Sequence, residues 1–208
     1  MYRTVRVTNL TDAQATSANV RAALLKLIET ATDKDTVALF VSGHGVQDGE
    51  TYYFATHDVD VARLQDSALP WTVFQETLSK VNAKRVLLFL DACHSGNSLG
   101  NQQANNERMA ELLVKRAGVM VFASSRGSEY SYELNEKQHG AFTSALIEGI
   151  GEGKADLDIG GGRDGIINVE ELLTYLRARV PQMTGNLQTP TCPLIRDFGE
   201  PFPLARVK

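Results

Sequence analysis

The chain lacks most of the features that mark a specialised class. Only two of its 208 residues are cysteine, too few for a disulfide framework. That usage fits a reducing compartment. No block of Lys or Arg occurs and the formal charge is -4, so no electrostatic footprint for nucleic acid is present. No apolar run approaches the roughly 20 residues needed to span a bilayer. The opening Met1-Tyr-Arg-Thr-Val-Arg has no apolar stretch of the kind a secretory signal carries. The cytoplasm is the expected setting, with neither nucleic acid nor membrane as a partner. No internal repeat is evident. What remains is ordinary globular material, 43% hydrophobic and 22% charged, enough to bury a real core. The length fits one domain, 1–208.

Two short motifs stand out against this background. One is Val37-Ala-Leu-Phe-Val-Ser-Gly-His44-Gly45 and the other is Arg85-Val-Leu-Leu-Phe-Leu-Asp91-Ala-Cys93-His94-Ser-Gly96. Each begins as an apolar, β-favouring run of the length of a strand buried on both faces. Each ends in small residues and carries one group able to do chemistry, an imidazole or a thiol. In an open parallel sheet, the loops at the carboxyl ends of the strands line the ligand crevice. Two such strands side by side would bring His44 and Cys93 together there. A thiolate is the nucleophilic form of cysteine, and a nearby imidazole is the usual means of generating it.

The rest of the chain alternates strands with helices. Residues 2 to 8 read as a strand. Ser17 is the expected N-cap of a helix through Val20, Leu24, Leu27 and Ile28. Tyr52-Tyr-Phe-Ala is a short strand, and Pro70 opens a helix through Val73, Phe74 and Leu78. Residues 95 to 106 are polar and read as an exposed loop. A helix near Glu107–Lys115, a strand at Val119–Ala123 and a helix near Phe142–Ile150 follow. A last helix starts near Val169 behind an Asn168 cap. This order predicts an α/β sandwich around a mostly parallel sheet.

The paired motifs resemble the caspase-like cysteine peptidases. A His roughly 50 residues before the Cys is a feature of caspases, and His44 and Cys93 fit it. Asp91-Ala-Cys93-His-Ser-Gly96 is similar to the metacaspase and bacterial orthocaspase branch. Phe122-Ala-Ser-Ser-Arg-Gly-Ser-Glu129, His139-Gly-Ala-Phe-Thr-Ser-Ala-Leu146 and Gln188-Thr-Pro190 extend the resemblance over nearly the whole chain. It implies a caspase-like three-layer α/β/α sandwich. A large-subunit-like part covers about 1–100 and a small-subunit-like part about 107–208, with the polar loop between. In the family another strand and helix precede the segment that resembles residues 2 to 30. That strand lies inside the sheet beside the His strand. The expectation is a sheet lacking it, the gap being filled either by an upstream segment or regulatory domain of a longer protein or by another segment.

Roles follow from the resemblance. Cys93 is the nucleophile and His44 the general base. The backbone N–H groups of Gly45 and Cys93 form the oxyanion hole. Asp91 lines the first substrate pocket, assisted by Ser42, and pairs with Arg or Lys. Independently of the family, Asp91 lies two residues before Cys93 and so on the same side of a strand. Glu133 aligns with the place where caspases clamp aspartate with an arginine, so an acid there would invert the preference. The expected partners are protein or peptide substrates with Arg or Lys at the cleavage position. Arg108 and Arg116 are candidate self-cleavage points.

No cofactor is required on this reading, and no metal site is expected. Calcium activation is known among metacaspases, but no motif here supports it. Placing Gly165 as the EF-hand glycine puts Gly160 and Gly162 at the first two ligand positions, so a Gly-rich turn before a helix is the better reading. Two alternatives to a peptidase stay open: a catalytically silent caspase-like scaffold that binds partners, and a different thiol hydrolase on the same fold.

Overall fold

The computed structural model describes residues 2–93, 110, 119–126, 129–134, 139–159, 162–192 and 201–207. The central sheet has five strands. They are β1 (Thr36–Asp48), β2 (Thr51–Ala55), β3 (Leu69–Pro70), β4 (Arg85–Cys93) and β5 (Met120–Ala123), in the order β3-β2-β1-β4-β5. β1, β4 and β5 run parallel, while β2 and β3 are antiparallel additions on one side. Turning β1 into β2 needs only a tight connection, and Gly49 supplies a positive φ of 59° there.

Both faces of β4 and β5 are covered, because alternate residues point to opposite sides, while Phe40 of β1 is 48% exposed on the Phe89 face. On one face Leu88 and Leu90 of β4 and Val121 of β5 pack with Leu24 of α1 (Ser17–Thr30) and with Phe74 and Leu78 of α3 (Trp71–Lys80). A short helix, α2 (Leu64–Ser67), leads into β3. On the other face Leu87, Phe89, Met120 and Phe122 pack against α4 (Ala141–Leu146) and α5 (Val169–Thr184). Phe89 and Phe122 stack with ring centroids 5.0 Å apart, within the range for a favourable aromatic pair. The result is the expected three-layer α/β/α sandwich.

Small elements complete the second layer. β6 (Glu133–Leu134) pairs with β7 (His139–Gly140), and β8 (Ile166–Asn168) pairs with β9 (Pro203–Arg206). α4 runs on into a π-helical turn at Ile147–Gly151. α5 begins at a full capping box: Asn168 Oδ1 accepts the Glu170 and Glu171 amides, and Glu171 returns a carboxylate to the Asn168 amide. Buried Glu148, in the π turn, accepts from Tyr175 and Arg179 of α5.

Three expectations need correction. Residues 2 to 8 form no strand, and Val5 and Val7 are 76% and 75% exposed. Their β-favouring alternation finds no ladder partner among the described residues, and an unpaired strand is not stable in water. Along β1 itself, Thr36–Gly43 pair with β4 but with no strand on the opposite edge among the described residues. The cap of α1 is Thr16 rather than Ser17, since the Thr16 hydroxyl accepts the Asn19 amide. Ser17 instead gives its own amide to the Asp58 carboxylate. Finally, Pro70 stands just before α3 rather than in its first turn, because it also closes the β2–β3 ladder.

Candidate active site

The site is assembled by one ladder. β1 and β4 are parallel, and their pairing runs without a slip from Thr36 opposite Arg85 to His44 opposite Cys93. Ser42 stands opposite Asp91 in the same register. Since the side-chain period is two, positions 42, 44, 91 and 93 belong to one face, that of Phe89. The parallel ladder and β4 end here, while β1 runs on to Asp48 as the partner of β2. The carboxyl end of the parallel strands is where an open α/β sheet holds its ligand crevice. Of Cys93 and Ala92 the structure describes the backbone only. Ser42 and His44 are exposed. Gly43, between them, cannot be replaced cheaply: a Cβ there would meet the Phe54 ring at 2.9 Å.

Asp91 differs from its neighbours. It is only 2% exposed, and its Oδ2 accepts the Thr143 hydroxyl of α4 at 2.5 Å. Its Oδ1 is buried and accepts no hydrogen bond. Burial pushes the Asp91 carboxyl above its ordinary pKa. The Thr143 and Ser124 hydroxyls and the Thr143 amide oppose that shift, while the negative charge of Glu133 adds to it. Glu133 on β6 is thus close enough to Asp91 to be felt. The two carboxylates expected at the substrate pocket share one neighbourhood, although Glu133 itself is exposed. Gly140 of β7 borders them, and a Cβ there would lie 3.1 Å from Asp91 Oδ2.

Sequence reasoning missed two supports of this neighbourhood. Thr143 sits inside the His139–Leu146 motif but carries no signal of its own as a partner for residue 91. Gln188, fully buried, donates from Nε2 to the Ser124 carbonyl and accepts the Tyr132 amide at Oε1, both at 2.8 Å. It ties the segment that leads into Glu133 to the end of β5. Beside it, Thr191 exchanges two backbone hydrogen bonds with Ala123. A Gln-Thr-Pro in the sequence hints at a fixed turn, not at these distant partners.

The other expected residues fall as follows. Gly45 lies on β1 opposite Phe54 of β2. Arg108, Arg116 and the loop from Ser95 lie outside the described residues, as does most of the helix expected at Glu107–Lys115. The second cysteine, Cys192, is buried, and burial pushes its thiol up to about 12, far from thiolate chemistry at neutral pH. The carboxylates of the Gly-rich turn hold backbone amides: Asp156 that of Gly165, Asp158 that of Gly162, Asp164 that of Ile166. Both oxygens of Glu171 are similarly engaged, by Leu157 and Asn168. Among the described residues no three His, Cys, Asp or Glu side chains converge on a metal-sized position, and no helix is long and apolar enough to cross a membrane.

The backbone register sets the His44 and Cys93 positions opposite each other where the parallel pairing of β1 and β4 ends. Residues 3–195 match the family described as the caspase domain, and the chain belongs to that family. Membership supports a cysteine peptidase-like function and protein substrates. A comparison with curated proteins finds no match to this chain.

Proposed function

We propose that this protein is a cysteine endopeptidase that cleaves after basic residues, Arg in preference to Lys, with Cys93 and His44 as its dyad. The observation that carries the reading is the register of β1 and β4, which makes His44 and Cys93 opposite neighbours at the crevice end of the sheet. In the proposed reaction His44 takes the Cys93 thiol proton, and the thiolate attacks the scissile carbonyl carbon. The tetrahedral oxyanion is held by the Gly45 and Cys93 amides, donors worth about 3 kcal/mol each in such sites. Collapse breaks the C–N bond, and His44 gives its proton to the leaving amine. Water, deprotonated by His44, then attacks the thioester carbon and releases the acid and the thiol.

The acidic neighbourhood supports the basic preference. A buried carboxylate pairs with a guanidinium through charge-assisted, potentially bidentate hydrogen bonds. Asp91, with Ser42 beside it and Glu133 nearby, is the proposed acceptor. Self-cleavage near Arg108 or Lys115-Arg116 belongs to the same proposal. The test is labelling with a peptide-based thiol electrophile carrying Arg at the cleavage position. Labelling of wild type that disappears in Cys93→Ala supports the peptidase. No labelling of either would sink it and favour a silent scaffold, and ester cleavage without peptide cleavage would favour another thiol hydrolase. Self-processing is read as two fragments from wild type on incubation, with Cys93→Ala staying whole.

A further inference from the structure

We propose that Thr143 is the positioning residue that holds Asp91 in place and charged for the cationic side chain of the substrate. The inference rests on the peptidase reading with Asp91 as acceptor, and it concerns how that acceptor is made usable. A carboxyl group that is 2% exposed favours its neutral form, because the low-dielectric surroundings penalise the ion. A neutral carboxyl offers an Arg or Lys no charge to pair with. Something must stabilise the anion without occupying all of it.

Thr143 meets that requirement from α4. Its hydroxyl donates to Oδ2 at 2.5 Å, and its backbone amide lowers the same carboxyl. Both come from one residue of a short helix packed in the core: Phe142 before it and Ala145 after it are fully buried. The bond therefore fixes the plane of the carboxylate through a rigid element, which is how a binding group is kept preorganised. It also engages one oxygen only. Oδ1 is left buried with no hydrogen bond, at an energetic cost that a cationic ligand would relieve. Gly140 borders the oxygen that Thr143 holds, and a Cβ there would press on Oδ2 from 3.1 Å.

Other groups act on Asp91 as well. Ser124 at the end of β5 lowers it through its hydroxyl, and Glu133 on β6 raises it by charge. His139 on β7 precedes Gly140, Cys93 is the last residue of β4, and His44 stands opposite it within β1. None of these joins charge support with geometric fixing of Oδ2 as Thr143 does. Thr143→Val removes the hydroxyl while keeping the branched shape, and Thr143→Ser restores a hydroxyl.

The experiment has two readouts. The first is kcat/KM against pH on an Arg-containing fluorogenic peptide, with alkylation of Cys93 by iodoacetamide as a pocket-independent check on the dyad. Thr143→Val should move the acidic limb to higher pH, losing about tenfold below that limb for each unit of displacement. Thr143→Ser should bring the limb back. A wild-type profile in Thr143→Val overturns the proposal. The second readout is the NMR titration of the Asp91 side-chain carboxyl in a Cys93→Ala background, which needs no turnover. A carboxyl titrating at higher pH in Thr143→Val and restored in Thr143→Ser supports the role; an unchanged titration overturns it. If wild type cleaves no basic peptide, the peptidase reading falls by itself, and the carboxyl titration still decides whether Thr143 governs Asp91.

Discussion

Arg179 lays its guanidinium along both oxygens of Glu148, Nε to Oε2 at 2.8 Å and Nη2 to Oε1 at 3.2 Å. Tyr175 donates to the same carboxylate at 3.1 Å, and Lys154 stands 3.8 Å away. The contact joins the π turn after α4 to α5, and so braces the helix that carries Thr143. Arg179→Met should lower stability by about 1–3 kcal/mol, because it leaves a buried carboxylate short of its main partner. Urea unfolding measures this. An unchanged midpoint would show that Lys154 and Tyr175 suffice.

Loss of either dyad member should remove turnover without unfolding the protein. Cys93→Ala is expected to fall by roughly 10⁴-fold or more, and His44→Ala by nearly as much, since residues that act as one unit are not additive. His44 is exposed, so its removal costs little packing. Steady-state rates on an Arg peptide, with thermal melts alongside, check both. Wild-type turnover in either variant would refute the dyad.

Cleavage-site preference should track charge at Asp91. Peptides with Arg should be cut faster than those with Lys, because a planar fork suits a carboxylate better than a point charge. Peptides with Asp there should be rejected, as like charges in a partly desolvated site cost several kcal/mol. A fluorogenic series varied at that one position is the measurement, and a preference for Asp would contradict the pocket assignment.

Asp91→Asn should trade activity for stability. The folded carboxyl holds its proton to higher pH than the unfolded one. The folded state therefore binds more protons through that window, and wild-type stability falls as pH rises from the ordinary carboxylate range to the raised pKa. The amide of Asn escapes this loss while still accepting the Thr143 hydroxyl. At neutral pH the variant should be the more stable protein and the poorer peptidase on basic substrates. Denaturation at pH 4 and pH 7 reads the sign; a stability gap that narrows with rising pH would disprove it.

Cys192 should be inert in the native state. Its thiol is pushed up to about 12, so iodoacetamide at neutral pH should modify it only after unfolding. Mass spectrometry of native and denatured protein distinguishes the two cysteines. Rapid native labelling at Cys192 would contradict its burial.

The parts of this molecule that were legible are those where pattern and packing agree. Val37–Val41 and Arg85–Leu90 are runs of apolar, β-favouring residues, and they became the paired core of the sheet. Asn168 announced its helix because a capping box is local. The strand read at residues 2–8 failed because alternation specifies a strand only when a ladder exists to receive it. The π turn, the Gln188 brace and the Thr143 contact were out of reach for a related reason. The brace and the contact each join residues dozens of positions apart, 52 in the case of Thr143 and Asp91, and nothing in either local segment names its partner, while the π turn, though local, is held by Arg179 of a later helix.

One consequence of the β1–β4 ladder concerns what variation this family member tolerates. His44 and Cys93 lie equally far along their strands from the first pair, Thr36 and Arg85. The distance between the proposed base and the proposed nucleophile is thus a counted quantity, set in residues rather than by any side chain. Conservative substitutions along either run leave the count intact. Inserting or deleting one residue in one strand alone turns its reactive group to the opposite face of the sheet. Two residues would restore the face but displace the group by about 6.6 Å, beyond hydrogen-bond reach. Among diverging copies of this sequence, length should therefore be held more strictly than identity between Thr36 and His44 and between Arg85 and Cys93.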